Sequence, residues 1–284
     1  YPQEYMAALL TSVGDNKDKL ALYLNECRAM GITVLAPDVN ESTLTFAPVG
    51  DDIRFGMGAI RNVGANVVDG MIAAREEKGR YESFNDFLKK VPLQVCNKRT
   101  IESLIKAGAF DDLGHTRRSL SLIHEAAVDA AVAVKRKEAA GQFDLFGSLG
   151  MDDALGDELT VTIPDVPEWD RREKLNFERD MLGLYVSDHP LRGLERALSD
   201  AASHSVHDII GEDSHVRDGE TVTIAGMLTG VSRRIAKSSG NQYASVELED
   251  PSGATITVMF FSRAYETMGA ALADDLICSI RGRV

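Results

Sequence analysis

At residues 59–68 the sequence reads Ala59-Ile60-Arg61-Asn62-Val63-Gly64-Ala65-Asn66-Val67-Val68, so that one glycine separates two apolar runs. The pattern predicts the end of one helix, a hairpin around the glycine, and the start of a new helix. A glycine lets the backbone turn tightly, and it lets amide groups at the next helix N-terminus approach a phosphate. Such a hairpin holds the nucleic-acid backbone without reading bases. We therefore expect DNA contacts from Arg61, Asn62, Val63, Gly64, Ala65 and Asn66.

A second segment of this kind follows at Leu104-Ile105-Lys106-Ala107-Gly108-Ala109-Phe110, preceded by Lys98-Arg99. Paired helix-hairpin-helix units commonly hold the two strands of one duplex, so the pair predicts a duplex-binding domain. The alternative is that either glycine merely joins two packed helices, because short motifs also arise by chance. The contacts expected from the second unit are Lys98, Arg99, Lys106, Gly108 and Ala109.

The charge of the chain is unevenly distributed. The net charge of -13 argues against nucleic-acid binding, because duplex affinity comes largely from cations that neutralise phosphates. However, residues 51–118 carry 12 Lys and Arg against 10 Asp and Glu, whereas residues 142–170 carry eight acids and no base. The one net-basic segment is therefore the one that contains both predicted hairpins.

The pattern along the rest of the chain predicts several modules of ordinary size. Apolar spacing predicts two helices within residues 3–30, a small β element within 31–46, mainly helix over 57–140, and a further helical piece over 168–200. Glycine, proline and acids over residues 147–167 indicate an exposed linker. Alternating residues predict strands at 221–226, 243–248 and 254–260, the start of a small β-barrel.

An apolar cluster interrupts the acidic linker at Gln142-Phe143-Asp144-Leu145-Phe146-Gly147. An exposed segment gains nothing by leaving two phenylalanines and a leucine in water, so these side chains should fill a pocket. The pocket could belong to the helices of the same chain. It could also belong to a partner protein, with Gln142 hydrogen-bonding at its rim.

The β-rich end predicts an OB fold, a barrel that binds single strands through stacking and cationic grooves. Arg233, Arg234 and Lys237, in a loop between two strands, suit a contact with single-stranded template DNA. A solvated hairpin tip is the alternative. Tyr243 together with Phe260 or Phe261 could stack on bases, but the alternation does not decide which ring faces outward.

Other functional classes find little support. Cys27, Cys96 and Cys278 lack any ligand spacing, which argues against disulfides and a zinc site. Adjacent acids at 51–52, 111–112, 152–153 and 274–275 fall in predicted turns or linkers, so we expect no metal there and no cofactor. No run approaches the roughly 18–20 apolar residues of a membrane span, and we expect a cytoplasmic protein.

Gln142, Leu145 and Phe146 match the consensus by which bacterial proteins bind the β sliding clamp, which assigns clamp binding to Gln142, Phe143, Asp144, Leu145 and Phe146. The chain as a whole resembles the α subunit of bacterial DNA polymerase III, of replicative type. The resemblance rests on residues 1–10, 53–64, 173–178 and 182–191, which match that family in its own order.

The resemblance implies an α+β multidomain fragment, mainly helical with a tandem helix-hairpin-helix domain and followed by a truncated, all-β OB-like barrel. It implies the end of a fingers domain at 1–50, the duplex-binding domain at 51–140, the clamp-binding segment and acidic linker at 141–167, a helical connector at 168–217, and the OB fold at 218–284. The palm domain with its magnesium-binding aspartates would lie before Tyr1, so the fragment itself should not catalyse nucleotidyl transfer.

The function implied is DNA replication, in which the fragment binds duplex DNA and the β sliding clamp while other replisome subunits are possible partners. One alternative is a scaffold module whose apolar segment docks internally and whose acidic surface rejects DNA. Another is an error-prone relative within the same polymerase family.

Overall fold

The computed structural model describes residues 1–14, 16–139, 161–183, 185–211, 214–236, 240–251 and 254–284. The chain divides into two compact units, Tyr1–Asp188 and His189–Val284. The first is mainly helical, and the second contains a curled, four-stranded antiparallel sheet. The expected α+β class with an OB-like region is thereby confirmed.

The first unit opens with the two expected helices, α1 (Pro2–Ser12) and α2 (Lys17–Ala29). Three short strands follow, β1 (Val34–Leu35), β2 (Ala47–Val49) and β3 (Asp52–Arg54), in the order β1-β3-β2. The carbonyl groups of Thr43 and Leu44 accept the N–H groups of Met57 and Gly58. Residues 43–46 themselves form a loop, and β2 begins after them at Ala47.

The helical part of the first unit follows the sequence prediction. A 3-10 turn (Met57–Ala59) leads to α3 (Ala65–Lys78), α4 (Phe84–Lys90), a 3-10 turn (Leu93–Val95), α5 (Lys98–Lys106), a 3-10 turn (Asp111–Leu113), α6 (Arg117–Ala139) and α7 (Arg171–Leu182). One buried apolar cluster runs from Met6 on α1 to Leu182 on α7. Burial of this cluster holds the unit together.

Residues 161–169, here called the docked segment, lie on the first unit without forming a helix or a strand. Asn85 on α4 exchanges two hydrogen bonds with the backbone of Val161, at 3.1 and 3.3 Å. The Glu168 carboxylate accepts the first two amides of α6, at 3.0 and 3.1 Å. The expected linker is thus held on the first unit in this part, because Asn85 binds the backbone of Val161 and because Val161 and Ile163 pack on the core.

The second unit has two short helices, α8 (Glu195–Ala201) and α9 (Val206–Ile210), before its sheet. The sheet contains β4 (Thr221–Ile235), β5 (Gln242–Glu249), β6 (Thr255–Phe261) and β7 (Ile277–Arg283), with α10 (Ser262–Met268) between the last two. The strand order is β6-β5-β4-β7, and every pair is antiparallel. Alternate side chains of one face, including Ala244, Val246 and Leu248, form the core.

Within the described ranges, no helix combines the length and the apolar character that crossing a membrane requires.

Candidate nucleic-acid interface

The first hairpin, residues 60–66, joins the 3-10 turn at Met57–Ala59 to α3. Its left-handed residue is Asn62, with φ 64°, whereas Gly64 has an ordinary φ of -83° and stands at the N-cap of α3. The expectation that Gly64 makes the tight turn is therefore wrong. Asparagine adopts the left-handed conformation more readily than most residues, so the turn is built at Asn62.

Three hydrogen bonds hold this hairpin against the rest of the first unit. The Asn62 side-chain amide donates to Oγ of Ser103 at 3.0 Å, and Oγ1 of Thr100 donates to the Asn62 carbonyl at 3.2 Å. The Arg61 N–H donates to the carbonyl of Met181 on α7 at 2.9 Å. The Asn62 side chain is thus committed to α5, and the hairpin is fixed in place.

The start of α3 is open to solvent and rich in hydrogen-bond donors. Arg61, Gly64, Ala65 and Asn66 are exposed. In the described part of the chain, the N–H groups of Gly64, Ala65 and Asn66 donate no hydrogen bond. A carbon placed on Gly64 meets no atom within 4 Å. Free amides at a helix N-terminus, with an arginine beside them, form a surface that suits a phosphate.

The second hairpin, between α5 and α6, is built differently. Gly108 has φ 84° and follows α5, and its N–H and that of Ala109 return to the carbonyls of Ile105 and Leu104, at 3.0 Å each. This pattern closes a helix C-terminus with a left-handed glycine. Gly108 and Ala109 are also buried. Neither residue presents a free amide to a ligand in this conformation.

A buried arginine fixes the second hairpin. Arg117, at the start of α6, is 2% exposed and donates to both carboxylate oxygens of Asp111, at 2.8 and 2.7 Å. It also donates to Glu178 on α7 at 3.3 Å. Burial alone lowers the pKa of Arg117, but the hydrogen bonds and charges of Asp111 and Glu178 outweigh it and raise the pKa. No spacing in the sequence marks a buried arginine, so this cluster was not predicted.

The three predicted lysine and arginine contacts near α5 differ in their surroundings. Arg99 is exposed at the start of the helix. Lys98 pairs with Asp129 on α6 at 2.8 Å. Lys106 pairs with Glu102 at 2.6 Å and lies 4.9 Å from the ring centre of Phe177. The hydrogen bond from Lys106 lowers the pKa of Glu102. Lys106 is thus bound into the packing between α5 and α7.

Comparison with known proteins agrees with this architecture. A helix-hairpin-helix family model matches residues 31–120, which contain both hairpins. DNA polymerase III subunit alpha of Saccharopolyspora erythraea is 53% identical over the whole chain, and that of Mycobacterium tuberculosis is 50% identical over the whole chain. That of Thermus aquaticus is 35% identical over 97% of the chain.

The chain belongs to the DNA polymerase III alpha subunit family. It spans about a quarter of the length of the relatives it matches, covering 24%, 24% and 22% of the three named above. This segment of the polymerase family carries the helix-hairpin-helix DNA-binding motif.

The predicted clamp-binding residues of this polymerase segment, Gln142, Phe143, Asp144, Leu145 and Phe146, lie outside the described residues. Both flanks are described. On one side α6 ends at Ala139, and on the other Val161 begins the docked segment on Asn85. Both flanks belong to the first unit.

The second unit of the polymerase segment carries a row of three side chains across its sheet, called here the sheet row. Arg234 on β4 pairs with Tyr243 on β5, which pairs with Phe261 on β6. The two rings stack at 6.0 Å between centres, and Phe261 is 60% exposed. Phe260 points into the core and is 9% exposed. The structure thus decides which ring faces outward.

Arg233 lies within β4, so the expectation that it stands in a loop between two strands is wrong. Arg233 donates to the carbonyls of Gly269 and Leu272, at 3.3 and 2.6 Å, and so holds the chain after α10. Lys237 lies outside the described residues.

Among the described residues, no group of three or more His, Cys, Asp and Glu side chains is placed to hold a metal ion.

Proposed function

We propose that this polymerase segment holds duplex DNA by its phosphates through the first hairpin and attaches the enzyme to the β sliding clamp through residues 142–147. The observation that carries the DNA proposal is the open start of α3. There, exposed Arg61 stands beside three free backbone amides on a hairpin held by three hydrogen bonds. These hydrogen-bond donors are already held in place, so little conformational entropy is lost when they bind a phosphate.

The proposed contact surface is smaller than the sequence indicated. It comprises Arg61, Gly64, Ala65 and Asn66, with Lys98 and Arg99 at the start of α5. Val63 is buried and Asn62 is committed to Ser103, while Gly108 and Ala109 have no free amides to offer. We assign the second hairpin and Lys106 to support of the first.

A salt series tests the duplex contact. The binding constant of the 284-residue chain for a short DNA duplex should fall linearly in log–log form, with a slope of about -0.9 per phosphate neutralised. Arg61→Ala should weaken binding and reduce the magnitude of the slope by about 1. Arg136→Ala, an exposed arginine at the end of α6, is the matched control and should change neither. Binding that ignores salt, or equal effects of both variants, would count against the first hairpin as the phosphate contact. No binding of DNA at low salt would favour the scaffold alternative.

Clamp binding rests on the sequence of residues 142–147 and gains support from the flanks. Because α6 ends at Ala139 and the docked segment begins at Val161, both flanks are anchored on the unit that carries the first hairpin. A clamp bound there stays near the duplex held by that hairpin. Linking the two contacts raises their effective concentration, and this would increase processivity without new chemistry.

The clamp experiment compares the wild-type chain with a triple variant carrying Gln142→Ala, Leu145→Ala and Phe146→Ala. Binding to purified β clamp should be present in the wild type and lost in the variant. Asp152→Ala with Asp153→Ala is the control for substitution in the same part of the chain outside residues 142–147, and it should still bind. A triple variant that binds as well as the wild type would show that these apolar residues pack internally.

The sheet row supports a second candidate function, contact with single-stranded template DNA. Exposed aromatic faces stack on bases of any sequence, and Arg234 in the same row supplies a cation for the backbone.

For the whole subunit, we propose DNA polymerisation with magnesium and other replisome subunits as partners. Its catalytic residues are expected outside this chain.

A further inference from the structure

Glu178 on α7 lies at the centre of a buried network in the first unit. It is fully buried, and its Oε1 accepts the N–H groups of Val186 and Ser187, at 2.6 and 2.7 Å. Its Oε2 accepts the hydroxyl of Ser187 at 2.6 Å and Nη1 of Arg117 at 3.3 Å. One carboxylate therefore joins three parts of the chain: α7, the start of α6, and residues 186–187.

The same helix reaches the first hairpin one turn later. The carbonyl of Met181 belongs to the last turn of α7, where carbonyls have no partner within the helix. It accepts the Arg61 N–H at 2.9 Å. Leu182 beside it is buried in the core of the first unit. The position of α7 therefore sets the position of the Arg61 backbone.

We infer that Glu178 is a positioning residue for the phosphate-contact hairpin and acts on Arg61 through α7. Glu178 touches no part of the proposed DNA surface. It holds α7 between Arg117 and residues 186–187, and α7 holds Arg61. A change in the conformation of residues 186–187 would shift α7, and α7 would in turn shift the first hairpin. The effect on DNA binding rests on the proposed function, but the effect on the Arg61 amide does not.

Two variants perturb the network to different degrees. Glu178→Gln keeps the shape of the side chain, but its amide can accept at only one end. If the oxygen faces Val186 and Ser187, the NH₂ group faces the donors of Arg117. Ser187→Ala removes a single hydroxyl from the network and leaves the Arg117–Glu178 pair in place. Should Glu178→Gln fail to fold, Ser187→Ala provides the test.

Hydrogen exchange of the Arg61 amide is the direct measurement. Protection of this amide should fall about tenfold in Glu178→Gln, and by a smaller factor in Ser187→Ala, because the acceptor carbonyl becomes less well placed. Protection of α1 should stay unchanged. Asn85→Ala is the matched control, since it removes two hydrogen bonds to Val161 elsewhere in this unit. It should leave the Arg61 amide protected.

Duplex binding gives the second readout. Glu178→Gln should weaken binding about fivefold and reduce the salt slope as Arg61→Ala does, and the two changes combined should weaken it little more than Arg61→Ala alone. Unchanged Arg61 exchange in the folded variants, or additive losses of affinity, would overturn the inference. A wild-type chain that does not bind DNA would instead defeat the proposed function, and the exchange measurement would still decide the role of Glu178.

Discussion

The guanidinium group of Arg117 lies so close to Gly108 that a carbon placed on Gly108 would be 2.1 Å from Nη2. Arg117 cannot move away freely, because Asp111 binds it with two hydrogen bonds and Glu178 with a third. Gly108 also has φ 84°, a backbone conformation that side chains disfavour. The second hairpin thus needs its glycine for packing over a buried charge.

Gly108→Ala should therefore destabilise the first unit strongly. Left-handed strain together with the clash against Arg117 should lower the free energy of unfolding by about 3 kcal/mol. Gly114→Ala is the matched control, because Gly114 has φ 82° but open space around it, and it should cost only about 1 kcal/mol. Denaturant unfolding measures both. Similar losses for the two variants would show that the Arg117 contact is unimportant.

Gly64→Asp should separate stability from DNA binding. Gly64 is the N-cap of α3 and has no side-chain cap, so an aspartate there can accept the amides of the first turn. The free energy of unfolding should stay equal or rise by a few tenths of a kcal/mol, about the difference between a glycine and an aspartate cap. Duplex affinity should fall at least about tenfold, because the new carboxylate occupies the donors and repels phosphate.

Gly50→Asp adds the same charge to the exposed turn between β2 and β3 and serves as the control. It should reduce duplex affinity only slightly. If Gly64→Asp binds DNA as well as Gly50→Asp does, the start of α3 is not a phosphate contact.

The helices and strands could be predicted from the sequence because apolar spacing and alternation record which face of an element is buried. The α+β class, the position of α3 after the first hairpin, and strands β4, β5 and β6 all follow from that pattern. The turn at Asn62 could not be predicted, because it depends on contacts with Thr100 and Ser103 on α5. Motif spacing identified Gly108 but did not indicate that Arg117 buries it.

The first unit should lose stability at alkaline pH through Cys27. Burial, with a smaller contribution from the charge of Glu26, raises the pKa of this thiol from 9.0 to about 11. The unfolded chain then releases its proton before the folded chain does, so stability falls as pH rises through that interval. Cys27→Ala should show a smaller fall between these pH values in denaturant unfolding. If the free energy of unfolding falls equally with pH in Cys27→Ala and in the wild type, Cys27 does not cause the fall. Tyr81 ionises in both proteins, so its effect cancels in the comparison.

Phe260 and Phe261 are adjacent in sequence and should behave in opposite ways. Phe260 belongs to the core of the second unit, so Phe260→Ala should lower its free energy of unfolding by about 3 kcal/mol or more. Phe261 is 60% exposed and stacks on Tyr243, so Phe261→Ala should change stability by less than about 0.5 kcal/mol. Denaturant unfolding of the second unit measures both effects.

Single-stranded DNA binding should be sensitive to Phe261 because its exposed ring can stack on a base. Phe261→Ala should weaken binding to a short oligonucleotide by about 1–3 kcal/mol, the usual value of one base stacked on an aromatic ring. Phe261→Trp keeps a ring at that position and should bind like the wild type. Arg234→Ala should reduce the salt slope by about 0.7, because a single strand loses one phosphate contact. If Phe261→Ala binds as tightly as Phe261→Trp, the sheet row does not hold bases, and its exposed rings need another partner.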